Sequence, residues 1–162
     1  MKLTDKILGI LTADARTPPE KIAVMLGAKT ADVVKEIETL EKSGVIVKYG
    51  AVINEDKLER ETVEALIEVK VSPQFSRGFD AIAEEIYKLE EVSSLYLMSG
   101  TYDLTVIVKG KSLKAVAAFV SEKLSGMDKV LSTATHFILK KYKCEGVVMD
   151  KDEECRRLAV QA

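Results

Sequence analysis

Three sets of side chains in the 162 residues have the type and spacing to do chemistry. The first lies in the N-terminal third: Arg16, Lys29, Thr30, Lys35, Lys42, Lys48 and Tyr49. Cationic and hydroxyl donors gathered in one short stretch suit the phosphates of a nucleic-acid duplex, and those on an exposed helix face suit base edges. The second is Ser99-Gly100-Thr101-Tyr102-Asp103, a residue without Cβ set among hydroxyls and a carboxylate. Gly100 lets a ligand approach the backbone and Asp103 can accept from an amino group, while Thr133 and Thr135 add two hydroxyls. A tight hairpin, with Gly100 in unusual dihedrals and Asp103 capping the turn, accounts for the same residues. The third is His136, the single histidine, placed between Thr135 and Phe137 with no second histidine near it in sequence. It is expected to be structural. Neither a nucleophile motif nor a phosphate loop occurs, so no catalytic residue, metal site or cofactor is expected.

These residues must be held by local structure, and the first fifty positions read as three short helices. The apolar positions Ile7, Leu8, Ile10 and Leu11 follow a capping Thr4, and Asp14-Ala15-Arg16 ends that pattern. In Thr17-Pro18-Pro19-Glu20 a capping threonine, a proline at the first helical position and a glutamate three residues on start a second helix. It is expected to bury Ile22, Ala23, Met25 and Leu26 and to close at Gly27. Thr30 caps a third helix with Val33, Val34, Ile37 and Leu40 inward, stopped by Ser43-Gly44. Two helices about a tight glycine turn form a helix-turn-helix. Val45-Ile46-Val47 and Ala51-Val52-Ile53, either side of Lys48-Tyr49-Gly50, predict a small wing.

The charged run 54–62 reads as a linker. Beyond it, Val63 to Val71 alternates as a half-buried strand stopped by Pro73, and Phe79, Ile82, Ala83, Ile86 and Leu89 recur at helical spacing. Val92 to Met98 is a second strand. The pattern then repeats: a strand through Leu104, Val106 and Val108, a helix capped by Ser112, and a strand from Val130 to about Tyr142. The fold class expected is therefore α+β: a winged helix-turn-helix over 1–53, the linker 54–62, a βαββαβ ferredoxin-like domain over 63–146 and a tail over 147–162. A lone four-stranded sheet leaves a face to cover, and Tyr96, Met98, Val106 and Val108 are expected to cover it in a homodimer or higher homo-oligomer.

Composition narrows the class further. A hydrophobic share of 47% with 31% charged residues is that of a globular chain, and no apolar run spans a bilayer, so no membrane partner is expected. The start Met1-Lys2-Leu3-Thr4-Asp5 lacks a secretory pattern, which predicts a cytoplasmic protein with Cys144 and Cys155 reduced and non-catalytic. A net charge of -2 excludes a surface built throughout for polyanions.

Asp14-Ala15-Arg16-Thr17, Ile22-Ala23, Leu26-Gly27, Leu40-Glu41-Lys42-Ser43-Gly44-Val45-Ile46 with Tyr49, and Ser99-Gly100-Thr101-Tyr102-Asp103-Leu104 stand in an order and spacing that resembles the Lrp/AsnC feast/famine regulators. The resemblance covers nearly the whole chain. It implies a transcription regulator that binds double-stranded DNA, assembles as dimers and often octamers, and takes an amino acid or related effector near the glycine turn where dimers meet. One departure stands out: the third helix carries Asp32, Glu36, Glu38 and Glu41 against Lys35 and Lys42. That acidity keeps an alternative open, a non-DNA-binding metabolite sensor or a subunit similar to the sirohaem decarboxylases. Few arginines are present for a carboxylated tetrapyrrole, namely Arg16, Arg60, Arg77, Arg156 and Arg157.

Overall fold

The computed structural model describes residues 2–59, 62–72 and 78–149; Pro73, Arg60, Arg77, Cys155, Arg156, Arg157 and the rest of the expected tail beyond 149 lie outside the described residues. Backbone contacts divide the chain into two units, Met1–Val52 and Ile53–Ala162.

The first unit holds α1 (Leu3–Ala13), α2 (Pro19–Leu26) and α3 (Thr30–Lys42) around Ile7, Ile22, Ala23, Val33 and Leu40. Their punctuation differs in detail from the expectation. Lys2 rather than Thr4 precedes α1, its N–H donating 3.1 Å to Asp5 Oδ2, and the Thr4 hydroxyl donates instead to Glu36 of α3. Helix α2 begins at Pro19, not Pro18, because the ring of Pro19 pushes the residue before it out of the helical region; Pro18 is extended at φ −71° and ψ 152°. No side-chain cap forms there or at α3, whose N-cap is Lys29 and not Thr30. Gly27 closes α2 in the left-handed region at φ 63°, which lets its own N–H and that of Ala28 reach back to Ala23 O.

Met25 and Val34 are corrections to the expected core, for both are exposed. At 100° per residue Val34 stands a quarter turn away from Val33, and the inward stripe of α3 is Val33, Glu36, Ile37 and Leu40. The expected wing is also absent: residues 45–53 form no strand pairing. Only Ile46 among the apolar residues of that stretch packs on the helical core, and Val47 is 88% exposed, so a two-stranded hairpin would have no buried face to hold it.

The second unit is a four-stranded antiparallel sheet in the order β2-β3-β1-β4, with β1 Val63–Val71, β2 Val92–Leu97, β3 Leu104–Gly110 and β4 Val130–Phe137. Helices α4 (Asp80–Tyr87) and α5 (Leu113–Ala118), the latter continued by a π-helical turn over Phe119–Leu124, supply its core with Ile82, Ile86, Val116, Phe119 and Leu124. This is the expected βαββαβ arrangement. Strand alternation divides the sheet. Ala65, Ile67, Val69 and Val71 of β1 and Leu104, Val106 and Val108 of β3 are buried on one face. Glu64, Leu66, Glu68 and Lys70 occupy the other. Val106 and Val108 therefore do not help to cover an open face, as the sequence had suggested; they belong to the core, and the exposed residues of the four named are Tyr96 and Met98. Gly110 ends β3 where a Cβ would stand 2.8 Å from Val116 Cγ2, which keeps that position a glycine.

β4 stops at Phe137, short of Tyr142, and the chain then turns back in a hairpin of β5 (Lys143–Cys144) and β6 (Val147–Val148) about Glu145 and Gly146, both at positive φ. Met149 N donates 2.9 Å to Tyr142 O, and Asn54 Nδ2 donates 3.0 Å to Met149 O. Residues from the charged run and from the expected tail thus pack into the second unit.

An ion cluster fastens the charged run to the sheet. Lys109 Nζ lies 3.0 Å from Glu55 Oε1 and 3.7 Å from Glu64 Oε2, Lys141 also pairs with Glu64, and Thr62 Oγ1 donates 2.9 Å to Glu55 Oε2. The Lys109 ammonium first, then the Thr62 hydroxyl, hold the Glu55 carboxyl below its ordinary range; Glu55 in turn raises Lys109. A lowered carboxyl stabilises the fold above its unfolded pKa, and that contribution disappears as pH falls through the folded value. Glu55→Gln should cost about 0.2–1 kcal/mol at pH 7, since the pair is part-exposed, and almost nothing at about pH 3. Urea unfolding of both proteins at the two pH values checks this, and an undiminished gap at low pH would contradict it.

Candidate functional site

In the first unit, Arg16, Lys29, Thr30, Lys35, Lys42, Lys48 and Tyr49 are all exposed. Arg16 follows the end of α1, Lys29 and Thr30 begin α3, Lys35 and Lys42 stand on its outward side, and Lys48 and Tyr49 lie on the segment beyond it. They are not equally free. Lys42 Nζ pairs with Glu38 Oε2 at 3.3 Å, one helical turn back. The Tyr49 hydroxyl donates 2.8 Å to Glu41 Oε1. Its pKa is raised, by partial desolvation first and then by the Glu41 carboxylate that accepts its proton. Among the described residues, Arg16, Lys29, Lys35 and Lys48 have no ion pair. Of the four acids of α3, Glu36 is half-buried, while Asp32, Glu38 and Glu41 are exposed. Glu36 turns inward to Thr4, Glu38 holds Lys42, and Glu41 holds Tyr49.

In the second unit, Ser99, Gly100, Thr101 and Tyr102 form the bend between β2 and β3. Gly100 is not among the glycines with positive φ, and a Cβ built on it meets nothing within 4 Å. The hairpin reading of Gly100 as a residue needed for unusual dihedrals therefore fails, whereas open space beside its backbone is present. Asp103 pins the bend: Oδ2 accepts from Val71 N at 2.9 Å, its own N–H donates 3.1 Å to Val69 O, and its carbonyl accepts from Met98 N at 2.8 Å. Lys70 Nζ adds a bond of 2.9 Å to Thr101 O.

Thr133 and Thr135 are not gathered with this bend. They pair with Val69 and Ile67, so their side chains share the helix-covered face, and Thr133 Oγ1 lies 3.4 Å from Ser125 Oγ. Lys70 stands on the opposite face. Two clefts of this unit lie elsewhere: one of about 360 Å³ is lined by Asn54, Glu55, Thr62, Glu64, Lys141 and Met149, and one of about 350 Å³ by Phe79, Tyr87, Ser94, Leu95 and Leu97.

His136 Nε2 stands 3.1 Å from Glu68 Oε2 across the β1–β4 ladder. Cys144 is a free, half-buried thiol in the small hairpin. Among the described residues no three metal-binding side chains converge, and no helix is long and apolar enough to cross a membrane. Sequence reading missed the Glu55–Lys109–Glu64–Lys141 cluster. The alternation of β1 signalled where Glu64 would point, but nothing local in the sequence pairs residue 55 with residue 109.

The profile of the Lrp/AsnC ligand binding domain matches residues 64–148, just over half of the chain. The chain belongs to the Lrp/AsnC family. Its relatives include the HTH-type transcriptional regulator YugG of Bacillus subtilis, 49% identical over 99% of both chains, and LrpA of Pyrococcus abyssi, 34% identical over 85% of this chain and 94% of that one. Among solved structures, Escherichia coli AsnC matches with a TM-score of 0.70 at 20% identity, over 88% of this chain and 93% of that one. A Neisseria meningitidis regulator in complex with L-Met matches at 0.72 and 22% identity, over 89% of this chain and 92% of that one. These likenesses confirm the α+β architecture, and the relatives are transcription regulators of the helix-turn-helix type.

In this Lrp/AsnC protein the Asp103 carboxylate already has a structural partner. Asp103→Ala should leave Val71 N–H unpaired and cost about 1–3 kcal/mol, while Asp103→Asn keeps an acceptor and costs less. Thermal or urea unfolding of the two variants separates the cases, and equal losses would show that the bond to Val71 contributes little.

Proposed function

We propose that this protein regulates transcription by docking α3 in the major groove of double-stranded DNA, and that a small effector, an amino acid or close relative, biases this through the second unit. The observation that carries the DNA reading is that Arg16, Lys29, Lys35 and Lys48 of the first unit are exposed and form no ion pair among the described residues, with Lys29 and Lys35 at the start and on the outer side of α3. Phosphate oxygens are the partner that such a set lacks, and release of condensed counterions would supply most of the affinity. Lys42 and Tyr49 reach DNA only by leaving Glu38 and Glu41, so they rank below the other candidates.

The effector reading rests on the open backbone at Gly100, the polar bend around it and the L-Met complex of the Neisseria meningitidis regulator. In a single chain the bend is shallow and Thr133 and Thr135 face elsewhere, so a second copy must complete the enclosure. Such an assembly also suits a sheet with Tyr96 exposed and Leu66 and Ile107 half-covered on its open face. A cytoplasmic location fits this work.

Lys35→Glu and Lys48→Glu should each weaken binding of the regulator's own promoter fragment, and each lost phosphate contact should lower the slope of log affinity against log salt by about one unit. Fluorescence anisotropy at several salt concentrations reads both effects. If the parent binds no duplex, the DNA reading falls. Calorimetry with the twenty amino acids should find at least one that binds the parent and binds Asp103→Asn more weakly, with light scattering showing a dimer or larger species in both. A micromolar monomer, or a parent that binds none of them, overturns the effector reading.

A further inference from the structure

We propose that Val34 is a specificity-determining residue that reads the 5-methyl group of thymine in the major groove. This rests on the docking of α3 described above. The residues i, i+3, i+4 and i+7 from Ala31 are Ala31, Val34, Lys35 and Glu38, one continuous outward strip of α3, and all four are exposed. Each has a limited repertoire. The Glu38 carboxylate is engaged by Lys42, and the neighbouring Thr39 hydroxyl donates 2.8 Å to its own helix at Lys35 O. Lys35 is the free donor of the strip. Ala31 and Val34 have no polar atom to offer a base.

Recognition helices meet base edges through their N-terminal residues, and of the five exposed residues in the first half of α3, namely Thr30, Ala31, Asp32, Val34 and Lys35, two are hydrocarbon. The hydrocarbon that base pairs display in the major groove is the thymine methyl. Val34 suits that partner for two reasons beyond its composition. A helical valine is held in one preferred rotamer, so its methyls are fixed before contact and little side-chain freedom is lost. It is also 36% exposed and absent from the core of the first unit, so part of its side chain faces solvent. Covering one methyl in this way is worth about fourfold in affinity.

The test uses the full chain and a duplex selected from random sequence for tight binding. Each thymine is replaced in turn by uracil, which removes the methyl group and leaves the pairing edge intact. At one position or more the parent should lose about fourfold, and Val34→Ala should bind the thymine and uracil duplexes alike at that position with an unchanged salt slope. Val24→Ala, at a residue of α2 that is 82% exposed, should keep the parent's discrimination. A parent indifferent to uracil at every position overturns the proposal while leaving the DNA reading in place, as does a Val34→Ala protein that still discriminates. If no duplex is selected at all, the DNA reading itself fails and the proposal with it.

Discussion

Because β1 is hydrogen-bonded along both edges, to β3 on one side and β4 on the other, its two-residue alternation sets which side chains of these three strands share a face. Ala65, Ile67, Val69 and Val71 lie under the helices, and that choice sends Glu64, Glu68 and Lys70 to the other side together with their cross-strand partners. The consequences reach the candidate site. Val71, the last residue of the strand, presents its N–H to Asp103, Val69 O takes the Asp103 amide, and Lys70 reaches Thr101 O. The β2–β3 bend is thus held by the end of the central strand. A slip of one residue in β1 would break those bonds and turn four buried aliphatic side chains to solvent.

Charge placement on α3 follows a comparable logic. Four carboxylates on a helix meant for a polyanion look self-defeating when counted along the sequence. In three dimensions, among the described residues, Glu38 alone is offset by a cation, Lys42, while Glu36 and Glu41 accept from neutral hydroxyls and keep their charge, as does the exposed Asp32, so attraction for a polyanion has to come from cations such as Lys29 and Lys35. The affinity such an arrangement can supply is modest, and an assembly of the proposed kind would multiply weak half-site contacts.

Much of the architecture was legible before any coordinates. The alternation in β1, the helical spacing of Ile82 and Ile86, the cap at Ser112 and the glycine at position 27 are local signals, and each names an element that exists. What escaped was nonlocal or depended on a neighbour's ring. Pro18 could not start a helix because Pro19 follows it. The runs about Lys48 had strand composition but no buried face, so their propensity went unused. Thr133 and Thr135 looked suited to the effector bend until the register with β1 put them on the helix side. Met149 belonged to an expected tail, yet it is nearly buried, because a turn through Glu145 and Gly146 brings it back to Asn54.

The separation of faces on α3 also bears on how such a protein can change. Val33, Ile37 and Leu40 hold the helix to its core, while Ala31, Val34 and Lys35 are exposed and lie outside that core. Substitutions at exposed positions of this kind usually move stability by less than about 0.5 kcal/mol. On the proposed docking of α3, such positions can change one residue at a time with the fold intact, so the set of genes under control can be rewritten without rebuilding the scaffold.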